Sequence, residues 1–279
     1  MLWGFKEAIE FDLNSVYSPV PKLELMRMLL SLAVKLGYKI CHLDVVAAYQ
    51  HSEIPHDVYI EVPDGIKKVP GKVWKLWKLL YGLITAANTW NRTIDSMMKN
   101  YGLKKLVTEL CVYTSKNRDF ITLVYVDDFL CFAKNDDIQI KFTKYVLEKV
   151  TTWVIGCPRK FLGIRFTFAN GAVFLDQTDY IQHVAKCFHL QNATPLSKPV
   201  EQAYKFTINN GESTNKPFWS IIGCLSYIAA GTRPDISYVM NELSQYQSNP
   251  LEEHYNVAKW VMRYLMGTQN CGIRIAASV

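Results

Sequence analysis

The stretch that most constrains the fold is ITLVYVDDFLCFA, residues 121 to 133, an apolar run whose only charged residues are Asp127 and Asp128. Its β-branched and aromatic residues predict two strands, ITLVYV and FLCFAK, joined at the aspartate pair in a tight hairpin. Such turns favour Asn-Gly or Asp-Gly, because their central residues take positive φ, and Asp-Asp is a poor substitute. A carboxylate buried beside apolar strands is strongly unfavourable unless it is paired, protonated or bound to a metal. An exposed hairpin tip would also tolerate the pair, so both readings stand at this point. A second pair, Asp136-Asp137, opens the predicted helix DIQIKFTKYVLEKV, where capping and the helix dipole are explanation enough.

A third acid lies in a matching setting. HLDVVAAY puts Asp44 at the end of a short apolar strand, with no cation near it in sequence. Two strands presenting carboxylates at one sheet edge make an oxygen-rich site suited to Mg²⁺, which takes one or two protein carboxylates together with phosphate oxygens. Phosphoryl transfer uses such sites, two ions activating a hydroxyl nucleophile and stabilising the leaving oxygen.

The rest of the chain supplies a frame. KLELMRMLLSLAVKLG, 22 to 37, and AANTWNRTIDSMMKNYG, 86 to 102, have helical periodicity and end on glycine. PDGIKKVPG, 63 to 71, reads as a surface loop, and the polar stretch 191 to 217 with its three prolines reads as a link to a smaller helical unit. With 279 residues, 49% of them apolar, the chain can build one large core or two modest ones. The net charge of +6 permits an anionic partner without requiring one.

Seven cysteines in mostly apolar contexts, with no Cys-x-x-Cys pair, read as reduced core residues of an intracellular protein. No signal peptide is visible, and no apolar run approaches the roughly 20 residues of a membrane span. Asn91-Arg-Thr and Asn192-Ala-Thr are therefore read as chance matches to glycosylation triplets.

Lys72, Lys75, Lys78, Lys104 and Lys105 interleave with Trp74, Trp77, Tyr81 and Tyr101, a mix compatible with nucleic-acid backbone contacts and stacking, although each lysine alone reads as solvated. Val257, Trp260, Val261, Tyr264 and Leu265 form a helical stripe best explained by core packing. His183, Cys187 and His189 lack a fourth ligand for a metal site.

The strand-borne YVDD, preceded by LDV and a tyrosine five residues after its aspartate, resembles the reverse transcriptase palm. The blocks FDLNSVYSPVPKLELMRMLLSLA, LDVVAAYQHSEIPHDVYIEVPDG, VWKLWKLLYGLITAANTW, LVYVDDFL, RKFLGI, IGCLSYIAAGTRPDISYVMNELS and EEHYNVAKWVMRYLMGT resemble, in order, the Pol polyprotein of copia-type LTR retrotransposons, in a yeast-like form. The resemblance implies an α+β fold: a palm built on an antiparallel sheet with helices, partial fingers, and a helical thumb and connection. It sets residues 1–170 as partial fingers and palm, 171–200 as a thumb-like segment, 201–217 as a linker and 218–279 as a helical connection before an RNase H domain that is missing.

The same resemblance implies an RNA-directed DNA polymerase, a nucleotidyltransferase of transposition that uses two Mg²⁺ ions. Asp44 and Asp127 are its metal ligands, and Asp128 completes the catalytic, metal-holding acids. Val45, Tyr49, Tyr81 and Tyr125 belong to the nucleotide pocket: Val45 lends a carbonyl, Tyr49 excludes a 2′-hydroxyl, and Tyr125 sits beside the primer end. Phe161, Leu162 and Gly163 grip the primer strand, although FLGI also reads as an ordinary strand and turn. The implied partners are an RNA/DNA primer-template and deoxynucleoside triphosphates. The RNase H and integrase regions of the parent polyprotein are missing, and no membrane is involved. The implied location is the cytoplasm, a virus-like particle or the nucleus.

Three departures bear on activity. The family continues after LYGL with Lys-Gln-Ala-Pro, where this chain has Ile84-Thr85-Ala86-Ala87, and it has Gln50-His51 where Asn-Gly is expected. The chain also begins inside the fingers region. Two readings therefore stay open: a polymerase, or a truncated, pseudogene-like relic that at most binds nucleic acid. A nucleotidyl cyclase also uses paired aspartates, but the downstream TRPD and thumb-like blocks argue against it.

Overall fold

The computed structural model describes residues 16–201, 204, 206 and 213–277. The predicted start of the fingers through FDLNS, and residues 202, 203, 205 and 207–212 of the predicted linker, lie outside the described residues. Among the described residues the fold is mixed α+β with antiparallel sheets, in two compact units: residues 16–22 with Leu36–Pro158, and Leu23–Lys35 with the described residues from Arg159 onward. Helix α1 (Leu23–Leu36) buries Leu25, Met26, Leu29, Leu30 and Ala33, and stops at Gly37, which takes φ 67°.

The first unit runs through β1 (Lys39–Val45), a 3₁₀ turn (Ala48–His51), β2 (Tyr59–Ile60), β3 (Trp74–Lys75), α2 (Ala86–Asn100), β4 (Lys104–Lys105), β5 (Val112–Thr114), β6 (Phe120–Tyr125), β7 (Asp128–Ala133), α3 (Asp136–Lys149) and β8 (Thr152–Gly156). Six of these strands form an antiparallel sheet in the order β4-β5-β6-β7-β1-β8. Alternation along the strands sends Cys41, Leu43, Phe129 and Cys131 to one face, where Trp90, Ile94 and Met98 of α2 and Phe142 and Val146 of α3 join them in one core. The helix predicted at Asp136 is present, but its cap is Asn135, whose Oδ1 accepts from the Ile138 amide at 3.0 Å. Asp136 and Asp137 occupy the first turn, where the helix dipole favours them. The loop predicted at 63 to 71 is exposed throughout.

The cysteines divide. Cys41, Cys111 and Cys131 are buried as expected, Cys224 is half-buried, and Cys157, Cys187 and Cys271 are exposed, each near the end of an element rather than inside it. Among the described residues no helix is long and apolar enough to cross a membrane.

The second unit contains α1 and then β9 (Lys160–Phe161), β10 (Ile164–Ala169), β11 (Ala172–Asp176), α4 (Thr178–Cys187), α5 (Phe218–Gly231), a 3₁₀ turn (Pro234–Ile236), α6 (Ser237–Ser244), α7 (Glu252–Gly267) and β12 (Ile273–Ala276). Its sheet, in the order β12-β11-β10-β9, was not singled out in the sequence, since β12 pairs with a strand about a hundred residues earlier. The stripe predicted on α7 is core at Val257, Val261 and Leu265, which pack with Ile221, Leu225 and Ile228 of α5 and with Ile181 and Val184 of α4; Tyr264 is half-buried against them, while half-buried Trp260 instead donates its indole to the Lys198 carbonyl at 2.9 Å. Arg27 of α1 donates to the carbonyls of Ala230 (2.6 Å) and Gly231 (2.9 Å), satisfying the C-terminal end of α5 with a cation.

The TRPD block ties this unit together. Arg233, 1% exposed, donates to both Asp235 oxygens (2.9 and 2.7 Å) and to the carbonyl and hydroxyl of Thr268 (2.9 and 2.7 Å). Tyr264 donates to Asp235 at 2.7 Å and lies under the guanidinium. Thr232 donates to Gln177 Oε1 at 2.9 Å, reaching the start of α4.

Strands β9 and β10 are joined by a two-residue turn, Leu162-Gly163, with φ of 47° and 74°. The Tyr227 hydroxyl donates to the Leu162 carbonyl and lies 2.7 Å from where a Cβ on Gly163 would stand. Gly163→Ala is therefore expected to destabilise the unit by about 1–2 kcal/mol, from left-handed strain and displacement of Tyr227. Urea unfolding of the full chain measures it.

Candidate functional site

The site residues of the first unit converge because the β6–β7 hairpin ends beside β1. Tyr125 pairs with Asp128, so the connecting residues are Val126 and Asp127, and the turn lies one residue earlier than the sequence predicts. Asp128 is the first residue of β7, a ladder position rather than a turn position. Val126 takes φ 52°, a conformation that a β-branched residue adopts only at a penalty of roughly 1–3 kcal/mol. Two hydrogen bonds hold it there: the Trp90 indole donates to the Val126 carbonyl at 2.7 Å, and the Val45 amide donates to the Asp127 carbonyl at 2.8 Å.

Across the sheet, Tyr125, Asp128, Asp44 and Trp153 stand opposite one another in a single row over β6, β7, β1 and β8. Residues directly opposite in antiparallel strands share a face, so Asp44 and Asp128 are like charges at close quarters, an unfavourable pair by itself. A residue that the sequence reading missed relieves it. His42, two positions before Asp44 and 5% exposed, has its Nε2 2.6 Å from Asp128 Oδ1. The period of two along a strand puts His42 on the face of Asp44, and that spacing is the signal that could have found it.

Asp127 is held from the other side by Tyr81, whose hydroxyl donates to Oδ2 at 3.3 Å. Burial raises the Asp127 carboxyl above its ordinary range, and the nearby Asp128 and Asp44 charges add to that, against the pull of its own backbone amide and of Tyr81. Burial and the Asp127 charge push the Tyr81 phenol up to about 12. Tyr49, on the 3₁₀ turn, is raised by burial and then by Asp127 and Tyr125, and its ring lies 4.4 Å from that of Tyr81. At Gln50-His51, the His51 Nε2 lies 3.0 Å from the Val46 carbonyl and closes the turn.

The first unit thus gathers Asp44, Val45, Tyr49, Tyr81, Tyr125, Asp127 and Asp128 around one end of its sheet. Phe161, Leu162 and Gly163 form the β9–β10 turn of the second unit. The donors around Asp44 and Asp127 are hard oxygens, chemically fit for Mg²⁺. Among the described residues, however, no three His, Cys, Asp or Glu side chains form a group able to hold a metal ion.

Of the basic and aromatic residues singled out, Lys75 pairs with Asp57 (2.6 Å) and Lys105 with Asp95 (2.8 Å). Tyr101 packs against Phe142 and Tyr145, while Trp77 is 76% exposed. His183 meets Cys187 at 3.5 Å, an i, i+4 contact along α4.

A family model described as Reverse transcriptase (RNA-dependent DNA polymerase) matches residues 1–202. The chain is 33% identical, over 95% of its length, to the retrovirus-related Pol polyprotein from transposon TNT 1-94 of Nicotiana tabacum, and covers 21% of that protein. It is 31% identical over 97% of its length to the Pol polyprotein from transposon RE2 of Arabidopsis thaliana, covering 19% of it. It is also 30% identical, over 82% of its length, to the putative transposon Ty5-1 protein of Saccharomyces cerevisiae, 76% of which it covers. The chain therefore spans about a fifth of the two plant polyproteins. A solved structure of the foamy viral protease-reverse transcriptase in complex with ds DNA overlaps 85% of this chain and 37% of that one, at 16% identity and a TM-score of 0.43.

Proposed function

Because the chain belongs to the reverse transcriptase family, as the reverse transcriptase domain of a retrotransposon Pol polyprotein, we propose that it is an RNA-directed DNA polymerase. The reaction transfers a deoxynucleotidyl group to a primer 3′-hydroxyl on an RNA template and releases pyrophosphate. The observation that carries the reading is the placement of Asp44 directly opposite Asp128 with Asp127 in the adjoining turn.

Asp44 and Asp127 would hold Mg²⁺, with the Val45 carbonyl as a further oxygen donor. Bound Mg²⁺ supplies activation of the primer hydroxyl and neutralisation of charge on the leaving oxygen. Tyr81 orients the Asp127 carboxylate through its hydroxyl. Tyr49 lies under the incoming sugar and excludes a 2′-hydroxyl, and Tyr125 stands beside the primer end. Phe161, Leu162 and Gly163 grip the primer strand.

A second reading, a nucleic-acid-binding relic without synthesis, is favoured by Ile84-Thr85-Ala86-Ala87, which removes a cation and an amide from the pocket. Extension of a DNA primer on an RNA template separates the two. The polymerase reading predicts synthesis that appears with Mg²⁺ and stops with chelator; the relic predicts salt-sensitive binding and no synthesis. In the same assay Tyr49→Ala is expected to raise ribonucleotide incorporation relative to deoxynucleotide by on the order of tenfold.

A further inference from the structure

We propose that His42 is a positioning residue that keeps the Asp128 carboxylate off the cation, leaving the site to Asp44 and Asp127; this rests on the reading of these acids as a Mg²⁺ site. Asp44 and Asp128 face each other across β1 and β7, while His42 faces Leu130, one same-face step further into the sheet. The 2.6 Å contact between His42 Nε2 and Asp128 Oδ1 therefore draws the Asp128 carboxylate inward along the strand, away from the hairpin end where Asp127 lies.

His42 is well suited to hold that position. It is 5% exposed, set between Cys41 and Leu43 on a central strand with paired neighbours on both sides, so its imidazole has little freedom to follow a moving carboxylate. Asp127 has a looser tether, a 3.3 Å contact from Tyr81, which is 38% exposed and free to yield. Two carboxylates of one site are thus held unequally: one by a short contact to a buried ring, the other by a long contact to a side chain at the surface. A cation that recruits one or two protein carboxylates and takes phosphate oxygens for the rest matches Asp44 with Asp127, and needs no third acid.

The test is Mn²⁺ binding by the full chain without nucleotide, followed by electron paramagnetic resonance, with thermal unfolding as the control for folding. Asp127→Asn is expected to weaken binding about tenfold or more, and Asp128→Asn to stay within about twofold of the parent. His42→Leu releases Asp128 to the ion and is expected to tighten binding at least about threefold, and His42→Gln, which keeps a donor, to restore the parent affinity. The proposal is overturned if Asp128→Asn weakens binding as much as Asp127→Asn, or if folded His42→Leu binds no more tightly than the parent. Because Asp128→Asn is isosteric, it decides the matter even where His42→Leu fails to fold. Absence of Mn²⁺ binding by the parent is a different outcome: it removes the reading of these acids as a cation site, and this inference with it.

Discussion

Replacing Arg233 by alanine is expected to destabilise the second unit by about 3 kcal/mol, the low end for breaking a buried ion pair, because Asp235 keeps 39% side-chain exposure. The guanidinium is the hub of five contacts: two to Asp235, two to Thr268 and one to the Tyr264 ring. Alanine leaves the Asp235 carboxylate with only the Tyr264 hydroxyl among these partners, and strips the end of α7 of its donors to Thr268. Thermal or urea unfolding of the full chain measures the loss. A comparison of Arg233→Met with Arg233→Met, Asp235→Leu sharpens it, since removing both charges is expected to be less damaging than stranding one.

The same pair gives a pH dependence. Burial raises the Asp235 carboxyl, but Arg233 and Tyr264 outweigh it and hold the group below its usual range. A carboxyl depressed in the folded state binds fewer protons there than in the unfolded chain, so its contribution is present above its unfolded value and is lost as pH falls through the folded one. The parent should therefore lose stability faster than Arg233→Ala on acidification below about pH 4.

What could be read from the sequence follows the physical range of the signals. Helices α1 and α2 are local objects, and apolar periodicity with glycine stops at Gly37 and Gly102 located both. The β6–β7 hairpin was equally legible, but its turn was not. Sequence reasoning put the break on the two polar residues, whereas pairing of Tyr125 with Asp128 forces strained Val126 into the turn. The strain is held in place by Trp90 and Val45, partners distant in sequence, which no local pattern reveals. The aspartates were found because carboxylates in apolar strands need a reason. His42 was missed because a histidine between apolar residues does not, until the strand period sets it beside Asp44. TRPD served only as a family label, although its arginine is the polar centre of a whole unit.

The second large effect concerns the acids. Asp127→Asn, Asp128→Asn should abolish primer extension, a fall of at least about a hundredfold, by removing one carboxylate proposed to hold the cation and its neighbour. It should not unfold the chain. The amide that replaces the Asp128 carboxylate can still accept from His42, and the change leaves Asp44 without the two neighbouring acids, ending the crowding in which Asp128 and Asp44 oppose ionisation of Asp127. The melting temperature is therefore expected to stay level or rise, which separates lost chemistry from lost structure.

Primer extension on an RNA template with Mg²⁺, run side by side on the parent and on folded Asp127→Asn, Asp128→Asn, tests the central claim most directly. The account predicts extension by the parent and only background from the double variant. Equal signal from the two would contradict it.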